Sequence, residues 1–283
     1  MARDPPGRSP TGRPADRTDP PTRPPAAGPS NHPTAAGVSG ERIAGGPATR
    51  PGPGERFLHR QGSRAGPGDG SPTVETGTTV VGLRTDEAVV LAADRRASLG
   101  GRFVANKDVR KVEAVHPTAG VALSGGVGPI QSFARGLRAE ASLYETRRGE
   151  PPTMEALSTL AGHLIRGIPA QALLGGVTPA GANGADAPVP RLFEMDGGGS
   201  VLETEYAAAG SGMQVAYGTL EDAHREGMDA DAARRLGAEA VASASERDTA
   251  SGNGTTLVTV DAEGVTAETV GGPDDLNGSE EAS

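Results

Sequence analysis

Hydrophobic residues are sparse through the first quarter of the chain and become dense and periodic from Thr78 onward. There the run Thr-Thr-Val-Val-Gly-Leu, a polar break over residues 84–87 and the run Ala-Val-Val-Leu-Ala-Ala ending at Asp94 predict a β-hairpin buried on one side. Short strands are expected at residues 103–105, 111–115 and 120–124. After Gly128 and Pro129 the period lengthens. Ile130, Phe133, Leu137, Ala141 and Leu143 recur at helical spacing through Arg148, and Pro151 and Pro152 end the run. A second helix is predicted over 154–166, with Leu157, Leu160, Ala161 and Leu164 on one face. The Gly- and Ala-rich stretch 175–187 reads as loop. Strands return at 191–195 and 201–209, helices at 211–224 and 230–246, and a last hairpin pairs 255–261 with 265–270. Strands, paired helices, strands, paired helices and strands, in that order, predict an α+β fold with two sheets sandwiched between helical layers.

Composition divides the chain. Residues 1–77 hold 15 of the 24 prolines and 14 of the 43 glycines, with only five Leu, Ile, Val or Phe. So little apolar surface cannot offset the entropy of ordering the segment. Residues 1–77 are therefore expected to form a disordered leader, 78–270 the folded domain and 271–283 an acidic disordered tail. The leader carries ten Arg against seven acidic residues, which leaves 17 basic and 29 acidic side chains after it, a net −12. That balance argues against nucleic acid as a partner, because phosphate neutralisation needs clustered Lys and Arg. No cysteine is present to form a disulfide or a thiolate metal site. No run approaches the roughly 20 apolar residues of a membrane span, and the N-terminus lacks the apolar centre of a secretory signal, so a soluble cytoplasmic protein with no membrane partner is expected. Lys107 and Lys111 are the only lysines beside 25 arginines. Acidity with few lysines is the balance found in salt-rich cytoplasms, and biased codon usage produces the same pattern.

Several chemistries fall away. Neither lysine lies in a phosphate-binding loop. No His-Glu-x-x-His occurs, the five histidines are scattered, and no Gly-x-Ser-x-Gly elbow is present, although spacing alone leaves a Ser-His-Asp arrangement open. What remains is the boundary at Glu75-Thr76-Gly77, where a polar leader meets a buried strand beginning Thr78-Thr79. A cut after Gly77 would give Thr78 a free α-amine with an unperturbed pKa of about 7.7–8, so that one residue supplies both nucleophile and base. The branched Cβ of threonine limits χ1 and pre-aims the hydroxyl. Taken alone, Thr78 and Thr79 read as ordinary strand residues.

The surrounding motifs carry more. Gly-Thr-Thr-Val-Val-Gly at 77–82 is followed by Ala-Ala-Asp-Arg-Arg-Ala-Ser at 92–98, Lys-Asp-Val-Arg-Lys-Val at 107–112 and Ser-Gly-Gly-Val at 124–127. Leu-Tyr-Glu-Thr-Arg-Arg-Gly-Glu at 143–150, Gly-Ser-Gly at 210–212 and Glu-Arg-Asp-Thr-Ala-Ser-Gly-Asn-Gly at 246–254 complete the set. In this order they resemble the proteasome beta subunits, most closely the archaeal type, over nearly all of residues 75–270.

The resemblance implies the four-layer α-β-β-α fold of N-terminal nucleophile hydrolases. It also implies a threonine endopeptidase made as a precursor and self-activated between Gly77 and Thr78. It assigns Thr78 as nucleophile, Lys111 as the lysine beside its hydroxyl, Asp94 as the partner of that lysine, and the Gly125 N–H as oxyanion donor. Asp248 and Ser251, joined by Ser211, would position the Thr78 amine. Without the family, Ser211 would read as a helix N-cap, Asp248 as a helix-end charge and Lys111 as a solvated strand end. Ser98 would align substrate as an added strand, and Ala97, Val109, Glu113, Leu123 and Val127 would line a mostly apolar specificity pocket, with Glu113 adding tolerance for basic residues. No metal or organic cofactor is implied. Implied partners are other beta subunits in seven-membered rings, flanking alpha-type subunits, an ATP-dependent unfoldase at the ring ends and unfolded protein substrates.

The chain departs from the family pattern by one extra residue between Leu99 and Lys107, a shorter 166–174 connection, Met213 where serine is common, and a long leader. Three other readings stay open: a catalytically silent ring subunit, another hydrolase of the same nucleophile class such as the bacterial two-component protease, and an acidic binding module with a flexible tail.

Overall fold

The computed structural model describes residues 77–276. The leader expected at 1–77 lies outside them except for Gly77, as do the last seven residues. Six strands come first: β1 (Thr79–Arg84), β2 (Val89–Asp94), β3 (Ala97–Leu99), β4 (Phe103–Asn106), β5 (Val112–His116) and β6 (Ala119–Gly125). Helices α1 (Val127–Arg148) and α2 (Met154–Ile165) follow, then β7 (Ala170–Thr178), β8 (Val189–Asp196), β9 (Val201–Thr204) and β10 (Tyr206–Gly210). Helices α3 (Met213–Ala223) and α4 (Ala230–Arg247) precede the hairpin β11 (Thr255–Val260) and β12 (Val265–Val270). The strands form two five-stranded antiparallel sheets, ordered β10-β1-β2-β11-β12 and β5-β6-β7-β8-β9, with β3 and β4 as a separate ribbon.

Three apolar layers hold the two sheets and two helix pairs together. Val121, Leu123, Leu137, Leu157, Ile165, Leu174 and Met195 pack α1 and α2 onto one sheet. Val80, Leu91, Leu173, Leu192 and Val258 fill the space between the sheets. Val81, Leu83, Val90, Leu236, Val241 and Leu257 pack α3 and α4 onto the other sheet. The result is the expected α-β-β-α order. The caps are local: the Thr153 hydroxyl accepts the Ala156 N–H at the start of α2, and Asp229 accepts the Ala232 N–H at the start of α4. Gly149 ends α1 in the left-handed region at φ 74°.

Four expectations change. The β1–β2 hairpin is buried on both faces, because successive side chains alternate between the sheet gap and the helical layer: Val80 and Leu91 face one, Val81 and Val90 the other. Residues 175–178 belong to β7, a central strand, rather than to a loop. A Cβ on Gly175 would lie 2.4 Å from Val89 Cγ1, and one on Gly176 2.3 Å from the Thr118 carbonyl oxygen, so the glycines mark close packing and not a turn. The expected strand at 201–209 splits at Glu205, with β9 in one sheet and β10 in the other. The domain also runs past residue 270, because a 3-10 turn at Pro273–Leu276 packs Leu276 into the layer beneath α4. No helix among the described residues is long and apolar enough to cross a membrane.

The β7 contacts generate a stability prediction. Gly176→Ala forces a methyl group against backbone and is expected to cost about 1–3 kcal/mol, read as a lower denaturant midpoint of the purified subunit.

Candidate active site

The first residues of β1 lie where the ends of several elements meet. β2 ends at Asp94, β5 is preceded by Lys111, β10 ends at Gly210, and α4 runs into the 248–254 turn. Thr78 is buried at this junction. Two glycines bring the backbone in close. A Cβ on Gly210, which has φ 94°, would lie 2.1 Å from the Thr78 carbonyl oxygen, and one on Gly212 would lie 2.0 Å from Thr79 Oγ1. The Gly-Ser-Gly spacing is therefore a mould around Thr78-Thr79 that carries Ser211 between two obligatory glycines.

Lys111 and Asp94 form an ion pair with both side chains fully buried, Nζ to Oδ1 2.7 Å. Lys111 Nζ also donates to the carbonyl oxygen of Gly77 at 3.0 Å. Asp94 accepts three backbone N–H groups besides: Thr79 at 2.9 Å on Oδ1, and Arg96 at 3.0 Å and Gly252 at 2.9 Å on Oδ2. Burial pushes the Lys111 ammonium below the usual lysine range, against the attraction of Asp94. Burial likewise pushes Asp94 upward, opposed by the Lys111 charge and the backbone donors. An ammonium on the Gly77 oxygen withdraws electron density from that carbonyl carbon, the atom bonded to the Thr78 nitrogen.

A second network runs through hydroxyls. The Thr78 N–H donates to Ser211 Oγ at 3.0 Å, and Ser211 Oγ donates to Asp248 Oδ2 at 2.5 Å. Ser251 Oγ donates to the same carboxylate oxygen at 2.6 Å. With that proton committed, the Thr79 hydroxyl is the donor in its 2.8 Å contact with Ser251. The chain of donors therefore ends on one carboxylate and orients the nitrogen of Thr78.

The structure thus brings Thr78, Asp94, Lys111, Ser211, Asp248 and Ser251 together. Gly125 ends β6 opposite Ala170 at φ 148°, and a Cβ there would lie 2.9 Å from the Ala170 Cβ. Ser124, its neighbour, reaches the same junction: its Oγ lies 2.9 Å from where a Gly210 Cβ would be.

The family model for proteasome subunits matches residues 74–260, most of the described fold and every residue of this junction. The chain belongs to the proteasome subunit family. It is 52% identical to the proteasome subunit beta of Halorhabdus utahensis over 71% of this chain and 84% of the relative. It is 49% identical to that of Halomicrobium mukohataei over 75% and 86%, and 51% identical to proteasome subunit beta 2 of Haloterrigena turkmenica over 69% and 81%.

The residues expected to line the proteasome-type specificity pocket come from several elements. Ala97 and Ser98 are buried in β3, and Ser98 Oγ accepts the Gly77 N–H at 3.2 Å. Leu123 is buried in the layer beneath α1, and Val127 is half-buried at the start of that helix. Val109 and Glu113 line a cavity of about 660 Å³ whose far wall comes from β11 and β12, including Thr256, Val258, Ala267 and Thr269. Glu113 there is paired with Arg138 of α1 at 3.0 Å.

Sequence reasoning passed over Thr79, whose N–H and hydroxyl both enter the networks, and Arg96. Arg96 Nε donates to Asn253 Oδ1 at 3.0 Å and its Nη1 to the Thr249 carbonyl at 2.9 Å, which ties down the turn that carries Asp248 and Ser251. The signal in the sequence is the turn-forming run Gly252-Asn253-Gly254, in which Asn253 takes φ 71°.

Removing one member of the buried pair leaves the other charge unpaired. Asp94→Asn is expected to destabilise the subunit by about 3–5 kcal/mol in denaturant titration.

Proposed function

We propose that this chain is a catalytic proteasome beta subunit, a threonine endopeptidase of the cytoplasmic core particle that frees its own nucleophile by cleaving between Gly77 and Thr78. The observation that carries the reading is the buried Lys111 ammonium, 3.0 Å from the carbonyl oxygen of Gly77 and paired with Asp94. In the precursor the Thr78 hydroxyl adds to the Gly77 carbonyl carbon and passes its proton to water. The C–N bond breaks as the nitrogen takes up a proton, and a second water hydrolyses the ester left on Thr78. The products are a Gly77 carboxylate and a Thr78 α-amine.

The mature residue then works on peptide substrates. Its amine takes the hydroxyl proton through a water and returns it to the leaving amine. Lys111 supplies positive field at the hydroxyl, and the Gly125 N–H is the donor to the oxyanion. Ser211, Asp248 and Ser251 hold the amine, while Ser98 pairs with the extended substrate and Ala97, Val109, Glu113, Leu123 and Val127 select its side chain. Family membership implies assembly into a proteasome core complex. We assign the partners as beta subunits in a seven-membered ring, alpha-type subunits on either side and an ATP-dependent unfoldase that delivers unfolded proteins. No step calls on a metal or an organic cofactor.

Intact mass and N-terminal sequencing of the assembled particle test this. The expected mature chain begins Thr-Thr-Val, and Thr78→Ala, expressed without active beta subunits, keeps its leader and shows no peptidase activity. An intact leader in assembled wild-type particles would show a silent ring subunit instead. The pH profile adds a second check. The base is the unprotonated amine, which is present above its pKa, so kcat/KM is expected to fall as pH drops below the ordinary α-amine range of about 7.7–8. A flat profile down to pH 6 would count against the amine as base.

A further inference from the structure

We infer that Ala250 restricts the residue before Thr78 to glycine and so acts as a specificity determinant for self-cleavage, an inference that rests on the processing reaction proposed above. Two constraints could demand glycine at a site: backbone conformation or lack of room. Gly77 meets the second of these. Room is what it lacks. A Cβ on Gly77 would lie 1.7 Å from the Ala250 Cβ, 2.8 Å from the Ala250 Cα and 3.0 Å from Ser98 Oγ.

Neither side can give way cheaply. Ala250 is 4% exposed and sits inside the turn that presents Asp248 and Ser251. Its N–H donates to Asp248 Oδ1 at 3.1 Å, and the Ser251 N–H donates to the Asp248 carbonyl at 3.1 Å. Moving Ala250 therefore moves the carboxylate that terminates the hydroxyl network. Gly77 is held from both ends of its peptide unit, its N–H on Ser98 Oγ at 3.2 Å and its carbonyl oxygen on Lys111 Nζ at 3.0 Å. A side chain at position 77 must lift this segment away from Ala250, and the carbonyl then leaves the ammonium that polarises it. The bond to be broken stays in the chain but is no longer presented to the Thr78 hydroxyl.

The distances rank the obstacles. The methyl–methyl approach is the most severe, and it disappears if residue 250 is also glycine. The contact with the Ala250 Cα remains, so relief is incomplete.

The test is the rate of leader release in four full-length chains: wild type, Gly77→Ala, Ala250→Gly and the double variant. Each is followed by intact mass, with its thermal unfolding midpoint measured in parallel. Gly77→Ala is expected to slow release by about tenfold or more, and the double variant to recover most but not all of the wild-type rate. Ala250→Val, with Gly77 kept, crowds the same space from the other side and is expected to slow release as well.

A Gly77→Ala chain that matures at the wild-type rate overturns the inference. So does a double variant as blocked as Gly77→Ala while unfolding at the wild-type midpoint, or an Ala250→Val chain that matures normally. In each case a wild-type chain that still releases its leader leaves self-cleavage standing. A wild-type chain that never exposes Thr78 overturns both.

Discussion

A lysine ammonium and an aspartate carboxylate, both wholly removed from water, fix where everything else at this site must be. Burying two charges is costly unless their remaining donors and acceptors are satisfied. Asp94 meets that condition by accepting Thr79, Arg96 and Gly252 N–H groups together with Lys111. Those donors come from β1, from the second residue after β2 and from the turn following α4. One carboxylate therefore ties the first strand to the last turn before β11, and the lysine it holds has a proton left for the Gly77 carbonyl.

The position of that pair follows from the layering. β1 and β2 are interior strands of a sheet covered on both faces, so the ends of these strands are where buried polar groups can still find backbone donors. The first residues of β1 enter that region directly. Gly210 and Gly212 clear space around Thr78 and Thr79, and Ser211 between them has one proton to give and accepts another. The arrangement depends on absent side chains as much as on present ones.

Much of this was legible in the sequence, for identifiable reasons. The helices announced themselves because each buries one face, as Leu137 and Leu157 do, and the break at Pro151 and Pro152 is unambiguous. Six of the seven residues assigned from the ordered motifs converge on the start of β1. The failures came where glycine served packing instead of turning. Gly175 and Gly176 hid the central strand β7, and nothing in the local pattern shows that Val89 and Thr118 press on them from distant parts of the chain. The split between β9 and β10 was equally invisible, since residues on both sides of Glu205 favour extended backbone and only the sheet partners differ.

Arg96 holds the turn after α4 through two neutral acceptors, the Asn253 side-chain oxygen and the Thr249 carbonyl, rather than through a carboxylate. Dissolved ions weaken attraction between exposed charges, but they have little purchase on a planar guanidinium bonded to neutral oxygens, and none on a pair sealed from solvent. These two supports of the site are thus of kinds that survive in brine. The exposed ion pairs of the surface, such as Arg84 with Glu205, belong to the kind that does not. Ionic strength can loosen the exterior of the subunit while the geometry around Thr78 stays as it is.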